Sequence, residues 1–180
     1  PGVIRMLARL GLRMVTVAQA TRELGYDPSN ETRSGGRITE LGVRMIHEMN
    51  RCGILVDISH LNDVCALDAI AVSQVPVAAT HSNPRALENT PRNVPDEVMR
   101  VLADRGGVLG IMPPIPRPAG EFPYTHVPRA QMDRTIAYVR YAVDRMGIEG
   151  VGIGTHFNSA VLPWITEGLL QAGFADDDVA

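Results

Sequence analysis

A chain of 180 residues with 45% hydrophobic content carries enough apolar material for one buried core, so a single domain is the expected organisation. The net charge of −3 excludes the basic footprint of a nucleic-acid-binding domain, and no apolar run approaches the ~20 residues of a membrane-spanning helix. Cys52 and Cys65 are too few and too plainly spaced for a disulfide framework or a zinc ribbon, and all 17 basic residues are scattered arginines, which reads as compositional bias.

Residues 3–10 place Ile4, Leu7 and Ala8 at helical spacing and stop at Gly11. Residues 12–18 are an apolar run with β-branched Val15, Thr16 and Val17, which predicts a strand. Residues 21–37 are polar, holding Asp27-Pro28-Ser29-Asn30 and Ser34-Gly35-Gly36, and predict a long loop. Thr39 reads as a helix N-cap, followed by one apolar stripe of Leu41, Met45, Ile46 and Met49 that runs up to Gly53. His47 lies within this helix and reads as solvated or capping. A strand is expected over 54–58, a helix over 61–72 with Asn62 or Asp63 near its start, and a strand over 76–80. Residues 82–95 are polar and contain prolines; a short helix over 96–102 and a strand over 108–112 follow. Residues 113–128 carry six prolines and predict an irregular loop. A long helix over 129–146, a strand over 150–154 and a helix over 163–172 complete the pattern.

Strands alternate with helices five times without a hairpin signal, which calls for a parallel sheet. The expected fold class is α/β, a parallel (β/α)₈ TIM-type barrel that is incomplete here, with its first strands missing. Because the chain opens directly into helical periodicity and residues 174–180 read as the start of another helix, residues 1–180 are expected to be part of a single barrel domain truncated at both ends.

Two histidines end two of the apolar runs. His60 and His81 are 21 residues apart, about the length of one strand, one helix and two short loops. Both are expected just past the carboxyl end of their strands, the rim where parallel α/β folds place their chemistry. Either histidine alone reads equally as a surface group or a hydrogen-bonded core residue. The matched pair suggests half of a metal site, because neutral imidazole is the commonest protein metal ligand. A third histidine, His156, follows the fifth predicted strand.

The segments Leu55-Val56-Asp57-Ile58-Ser59-His60, Ala79-Thr80-His81-Ser82-Asn83 and Arg92-Asn93-Val94-Pro95-Asp96 together resemble the membrane (renal) dipeptidase family of zinc peptidases, peptidase family M19. The resemblance extends over nearly the whole chain and includes Val151-Gly152-Ile153-Gly154. It implies a (β/α)₈ barrel holding two zinc ions joined by a glutamate and a water or hydroxide. The implied reaction is dipeptide hydrolysis, with tolerance for a D-residue at the C-terminal position. By this resemblance His60 and His81 match the two histidine ligands of one zinc, and Arg92 matches the arginine that grips the substrate carboxylate. The His-x-Asp pair of the other zinc and the bridging glutamate have no counterpart, as truncation would produce, so one site's ligands are expected outside this chain.

Two departures are of another kind. Gln19 stands where family members carry a histidine, and His156 stands where they carry the aspartate that helps to bind and deprotonate the bridging water. Imidazole at 156 can act as a base or as a ligand. The expected function is thus a metal-dependent dipeptidase, with His156 catalytic and Arg92 and Gln19 contacting substrate. The alternatives are a related amidohydrolase acting on another small amide, or a catalytically silent barrel that binds a peptide-like ligand. The expected partner is a dipeptide or small amide; the resemblance allows a homodimer, and the sequence leaves the compartment open.

Overall fold

The computed structural model describes residues 1–31, 35–114, 127–156 and 159–179. Helices and strands alternate from α1 (Gly2–Arg9) and β1 (Met14–Thr16) through α2 (Glu40–Arg51), β2 (Leu55–Asp57), α3 (Asp63–Val72) and β3 (Ala78–Ser82). They continue with α4 (Asp96–Asp104), β4 (Val108–Ile111), α5 (Arg129–Met146), β5 (Val151–Ile153), α6 (Leu162–Gln171) and the short α7 (Asp176–Val179). The five strands form one sheet in the order β1-β2-β3-β4-β5, every neighbouring pair parallel. A doubly wound sheet reverses its strand order at a switch point; strictly sequential order means that every crossover advances the same way, as in a (β/α)₈ barrel. The fold is therefore α/β of the TIM-barrel type, seen here as five successive units.

Local chemistry fixes the helix starts. The Thr39 hydroxyl accepts the Gly42 N–H at 3.2 Å, so α2 begins on the cap that the sequence predicts; the Asn62 side chain accepts the Cys65 N–H at 2.8 Å, so of Asn62 and Asp63 it is Asn62 that caps α3. Gly53 and Gly147, at φ 66° and 76°, turn the chain out of α2 and α5. The α2 stripe buries Ile46 and Met49 against the sheet, while His47 stays exposed on the opposite side. Strand residues Val56, Ala79, Leu109 and Ile111 meet these helix faces in one continuous core.

Two expectations change in detail. The second histidine strand runs further than predicted, because β3 pairs with β4 up to Ser82↔Ile111 past an irregularity after Ala79. His81 consequently lies inside β3, not beyond its end. The long polar segment 21–37 is in its described part a packed structure. Tyr26, Asp27 and Ser29 are buried, the Tyr26 hydroxyl donates to the Gly42 carbonyl at 3.1 Å, and the Ser29 N–H donates to the His60 carbonyl at 2.6 Å. The six-proline segment falls mostly on residues 115–126, outside the described residues.

Candidate metal centre

β2 ends on Asp57, and the chain must then turn outward to present His60. The Asp57 carboxylate accepts the Ser59 N–H at 2.9 Å, and the Leu61 N–H returns to the Ile58 carbonyl at 3.1 Å. Between these bonds His60 is held at φ 72°, and His156, after β5, is held at φ 61°. They are the two non-glycine residues with positive φ among the described residues. A left-handed conformation costs a residue with a side chain about 1–3 kcal/mol and clusters at functional sites, where neighbouring structure enforces it. Here it directs two rings toward the third.

The His60 and His81 Nε2 atoms are 3.0 Å apart, with ring centroids 5.0 Å apart and planes at 60°. Two imidazoles on one ion at ~2.0–2.1 Å hold their nitrogens about 3.3 Å and their centroids about 5 Å apart, so this pair fits a divalent metal of the zinc type. Protonation also suits it. Burial first, and the Arg92 positive charge second, lower the His60 and His81 pKa values to about 4, against a smaller opposing effect of Asp57. Both rings are neutral at pH 7, the form that binds metal.

These shifts set a pH dependence. Between the folded-state values near 4 and the ordinary value of ~6.5, the unfolded chain binds protons at these rings that the folded chain does not. Stability of metal-free protein is expected to fall as pH drops from ~6.5 toward 4. Urea midpoints across that range check this, and a variant with both histidines replaced by glutamine is expected to show a flatter profile.

His156 completes the group: one ring nitrogen from each of His60, His81 and His156 lies within 4.8 Å of the others. Its ring stacks on His81, centroids 4.5 Å apart and planes 15° from parallel, and the residue is exposed. Rings that share an ion must both contain it in their planes, a condition that two parallel stacked planes do not meet. As placed, His156 flanks the point on which the His60 and His81 Nε2 atoms converge. It reaches His81 across β4 because Gly110 and Gly154 carry no side chains where they pack on the Thr80 carbonyl.

Arg92 lies beside the histidines. Its Nη2 donates to the His81 carbonyl at 2.6 Å and its Nη1 to the Ser82 hydroxyl at 2.8 Å, which leaves further guanidinium N–H groups uncommitted by these two bonds. Burial lowers its pKa from the usual arginine range, with Asp57 opposing. The loop that carries it is braced: Arg85 binds Asp63 at 2.7 Å and the Asn93 carbonyl at 2.6 Å, and the buried Tyr138 hydroxyl donates to Glu88 at 2.6 Å. Gln19 is exposed on the segment after β1, at the same end of the sheet, and no hydrogen bond among the described residues joins it to the histidines. The structure thus brings His60, His81, His156 and Arg92 together, with Gln19 exposed at the same end of the sheet.

Sequence reading passed over Asp57, Thr80 and Thr16, which lie directly behind the histidines. The signal was present, since a carboxylate inside the apolar run Leu55-Val56-Asp57-Ile58 must find partners once buried.

The profile of the membrane dipeptidase family, peptidase family M19, matches residues 1–180. The chain belongs to this family. Among curated relatives, dipeptidase verJ of Clonostachys rogersoniana is 31% identical over 191 aligned residues, covering 99% of this chain and 47% of its own length. Dipeptidase tcpJ of Claviceps purpurea (strain 20.1) is also 31% identical, over 98% of this chain and 43% of its own. The chain spans about half the length of these curated relatives. Among solved structures, an amidohydrolase from Pseudomonas aeruginosa superposes with a TM-score of 0.82 at 24% identity, covering 99% of this chain and 63% of that one. A metallopeptidase from Rhodobacter sphaeroides, liganded with a phosphinate mimic of the dipeptide L-Ala-D-Ala, gives 0.79 at 22% identity over 98% and 54%. The M19 assignment makes this chain part of a metal-dependent hydrolase family of dipeptidases. The donor chemistry of the histidine pair agrees with it.

Proposed function

We propose that the full-length protein hydrolyses the amide bond of dipeptides at a two-zinc centre, and that residues 1–180 belong to its single catalytic barrel domain. The observation that carries this reading is the convergence of two neutral imidazole nitrogens, 3.0 Å apart, beside a partly buried arginine. Bound zinc supplies a water acidified to a pKa of ~7 and polarises the scissile carbonyl.

The chain's own residues do the rest. His60 and His81 would hold one ion, their Nε2 atoms being the ones that converge. Arg92 receives the substrate carboxylate with guanidinium N–H groups that the His81 carbonyl and Ser82 do not use, and a planar donor pair suits a carboxylate. His156, exposed at the mouth of the site and stacked on His81, accepts a proton at a ring nitrogen in the place of the family aspartate. Gln19, at the same end of the sheet, offers its amide N–H to the oxygen that gains charge as the carbonyl carbon becomes tetrahedral.

In the full-length protein, His60→Ala is expected to lose one metal equivalent and at least ~1,000-fold of kcat/KM on an L-D dipeptide. Metal analysis beside a dipeptide assay measures both. Unchanged zinc content would overturn the ligand assignment. Turnover of other small amides with none on dipeptides would move the reading to the related amidohydrolase.

A further inference from the structure

Behind His81 lies a buried chain of hydrogen bonds whose direction can be worked out atom by atom. Asp57 is 0% exposed. Its Oδ1 accepts the Ser59 N–H at 2.9 Å and the Thr80 N–H at 3.0 Å. Its Oδ2 accepts the Thr16 hydroxyl at 2.6 Å and the Thr80 hydroxyl at 2.7 Å. A carboxylate surrounded by four donors is an acceptor only, so the single hydroxyl proton of Thr80 points at Oδ2. The Thr80 oxygen then has only lone pairs to offer the His81 Nδ1, 2.7 Å away. That nitrogen must carry the ring proton, and Nε2 must carry the lone pair.

We infer that Thr80, oriented by Asp57, is a positioning residue that fixes His81 in the Nδ1–H tautomer, so that its Nε2 is set in advance to take the metal. The inference rests on the reading of His81 as a ligand. It deepens that reading by naming the groups that prepare the ligand, through a hydroxyl placed between carboxylate and imidazole. The Ser59 hydroxyl adds a clamp on the backbone by accepting the His81 N–H at 3.1 Å.

Long-range ¹H–¹⁵N correlation spectra of the metal-stripped full-length protein test this directly. The expected result is Nδ1–H at His81; Nε2–H at His81 would overturn the proposal. Three variants separate positioning from mere structure. Thr80→Val, nearly isosteric, is expected to mix the His81 tautomers and lower zinc affinity about 10–100-fold, the usual effect of losing the partner behind a ligating histidine. Thr80→Ser is expected to restore both. Thr16→Val takes a donor from the same Asp57 oxygen without touching His81; it should cost stability and leave tautomer and affinity in place. Equal zinc affinity in Thr80→Val and wild type, or an equal loss in Thr16→Val, would overturn the proposal. If wild type shows the expected tautomer yet binds no zinc, the relay stands and the metal reading fails.

Discussion

Gly154→Ala is expected to destabilise the fold by about 3 kcal/mol and to separate His156 from His81 in the molecules that still fold. A Cβ at 154 would fall inside van der Waals contact of the Thr80 carbonyl oxygen, 3.0 Å from the Thr80 carbonyl carbon and 3.1 Å from the His81 Cα. All three atoms are backbone, so no rotamer change relieves the clash. β5 is meanwhile pinned from its other neighbour by the Gly154 N–H to the Ile111 carbonyl at 2.8 Å. The strand must move away from β3, taking His156 with it. Gly110 packs on the same Thr80 carbonyl, and its Cβ would lie 2.8 Å from the carbonyl carbon. The two alanine variants together are expected to cost less than the sum of each alone, since one displacement of Thr80 serves both. Gly152→Ala is the control: its Cβ would meet only the Val108 Cγ1 at 3.8 Å, and a change within ~0.5 kcal/mol is expected. Urea midpoints at unchanged m measure all four proteins. A midpoint for Gly154→Ala equal to that of Gly152→Ala would mean that β5 carries His156 without this close approach.

The pattern that made the fold legible is local. Runs such as Leu55-Val56 and Val108-Leu109 are bounded by glycine or proline, and Thr39 and Asn62 mark helix starts by the same side-chain hydrogen bonds that the structure shows. Each signal depends on neighbours within one or two turns of chain, so sequence is enough. The site is legible only as far as that locality reaches. His60 and His81 stand out in sequence as histidines at the ends of apolar runs, whereas Arg92 is singled out only by the resemblance that Arg92-Asn93-Val94-Pro95-Asp96 carries. That His81 sits within β3, and that His156 crosses β4 to stack on it, depends on strand register and on how closely three strands approach. No spacing along the chain encodes either. The positive φ at His60 and His156 is equally silent in sequence; at His60 it goes with the Ser29 N–H on the His60 carbonyl and the neighbouring Ser59 N–H on Asp57. Asp57 lies between these cases. Its presence in an apolar strand announces a buried partner, yet the partners Thr16 and Thr80 are 41 and 23 residues away and come together only through the parallel pairing of β1, β2 and β3.

That same carboxylate carries a stability effect of similar size. Asp57→Ala is expected to cost about 3 kcal/mol, because it removes from a fully buried position the acceptor of two hydroxyls and two backbone N–H groups, of which the Thr16 hydroxyl alone lies on an exposed residue. Asp57→Asn keeps the shape but turns an amide N–H₂ toward donors, so part of the loss should remain. The pH dependence distinguishes a charged Asp57 from a merely polar one. Burial pushes its pKa upward, but the Thr16 hydroxyl and then the Thr80 and Ser59 groups outweigh it and hold the carboxyl below the usual range. Between that depressed value and the unfolded value of ~3.9 the unfolded chain binds the proton and the folded chain does not, so stability rises with pH through this window. The contribution is complete above ~3.9 and is lost as pH falls through the folded value. This window lies below the one in which His60 and His81 act, near 4 to ~6.5, so the two can be resolved in one titration. Wild type should lose stability in two stages on acidification, and Asp57→Asn should lose the lower stage while keeping the upper. If wild type instead gains stability relative to Asp57→Asn as pH falls from 7 toward ~4, the folded carboxyl takes up its proton above the unfolded value and stands protonated in the fold. The hydroxyl of Thr80 would then have no fixed direction, and the pre-set tautomer of His81 would fall with it.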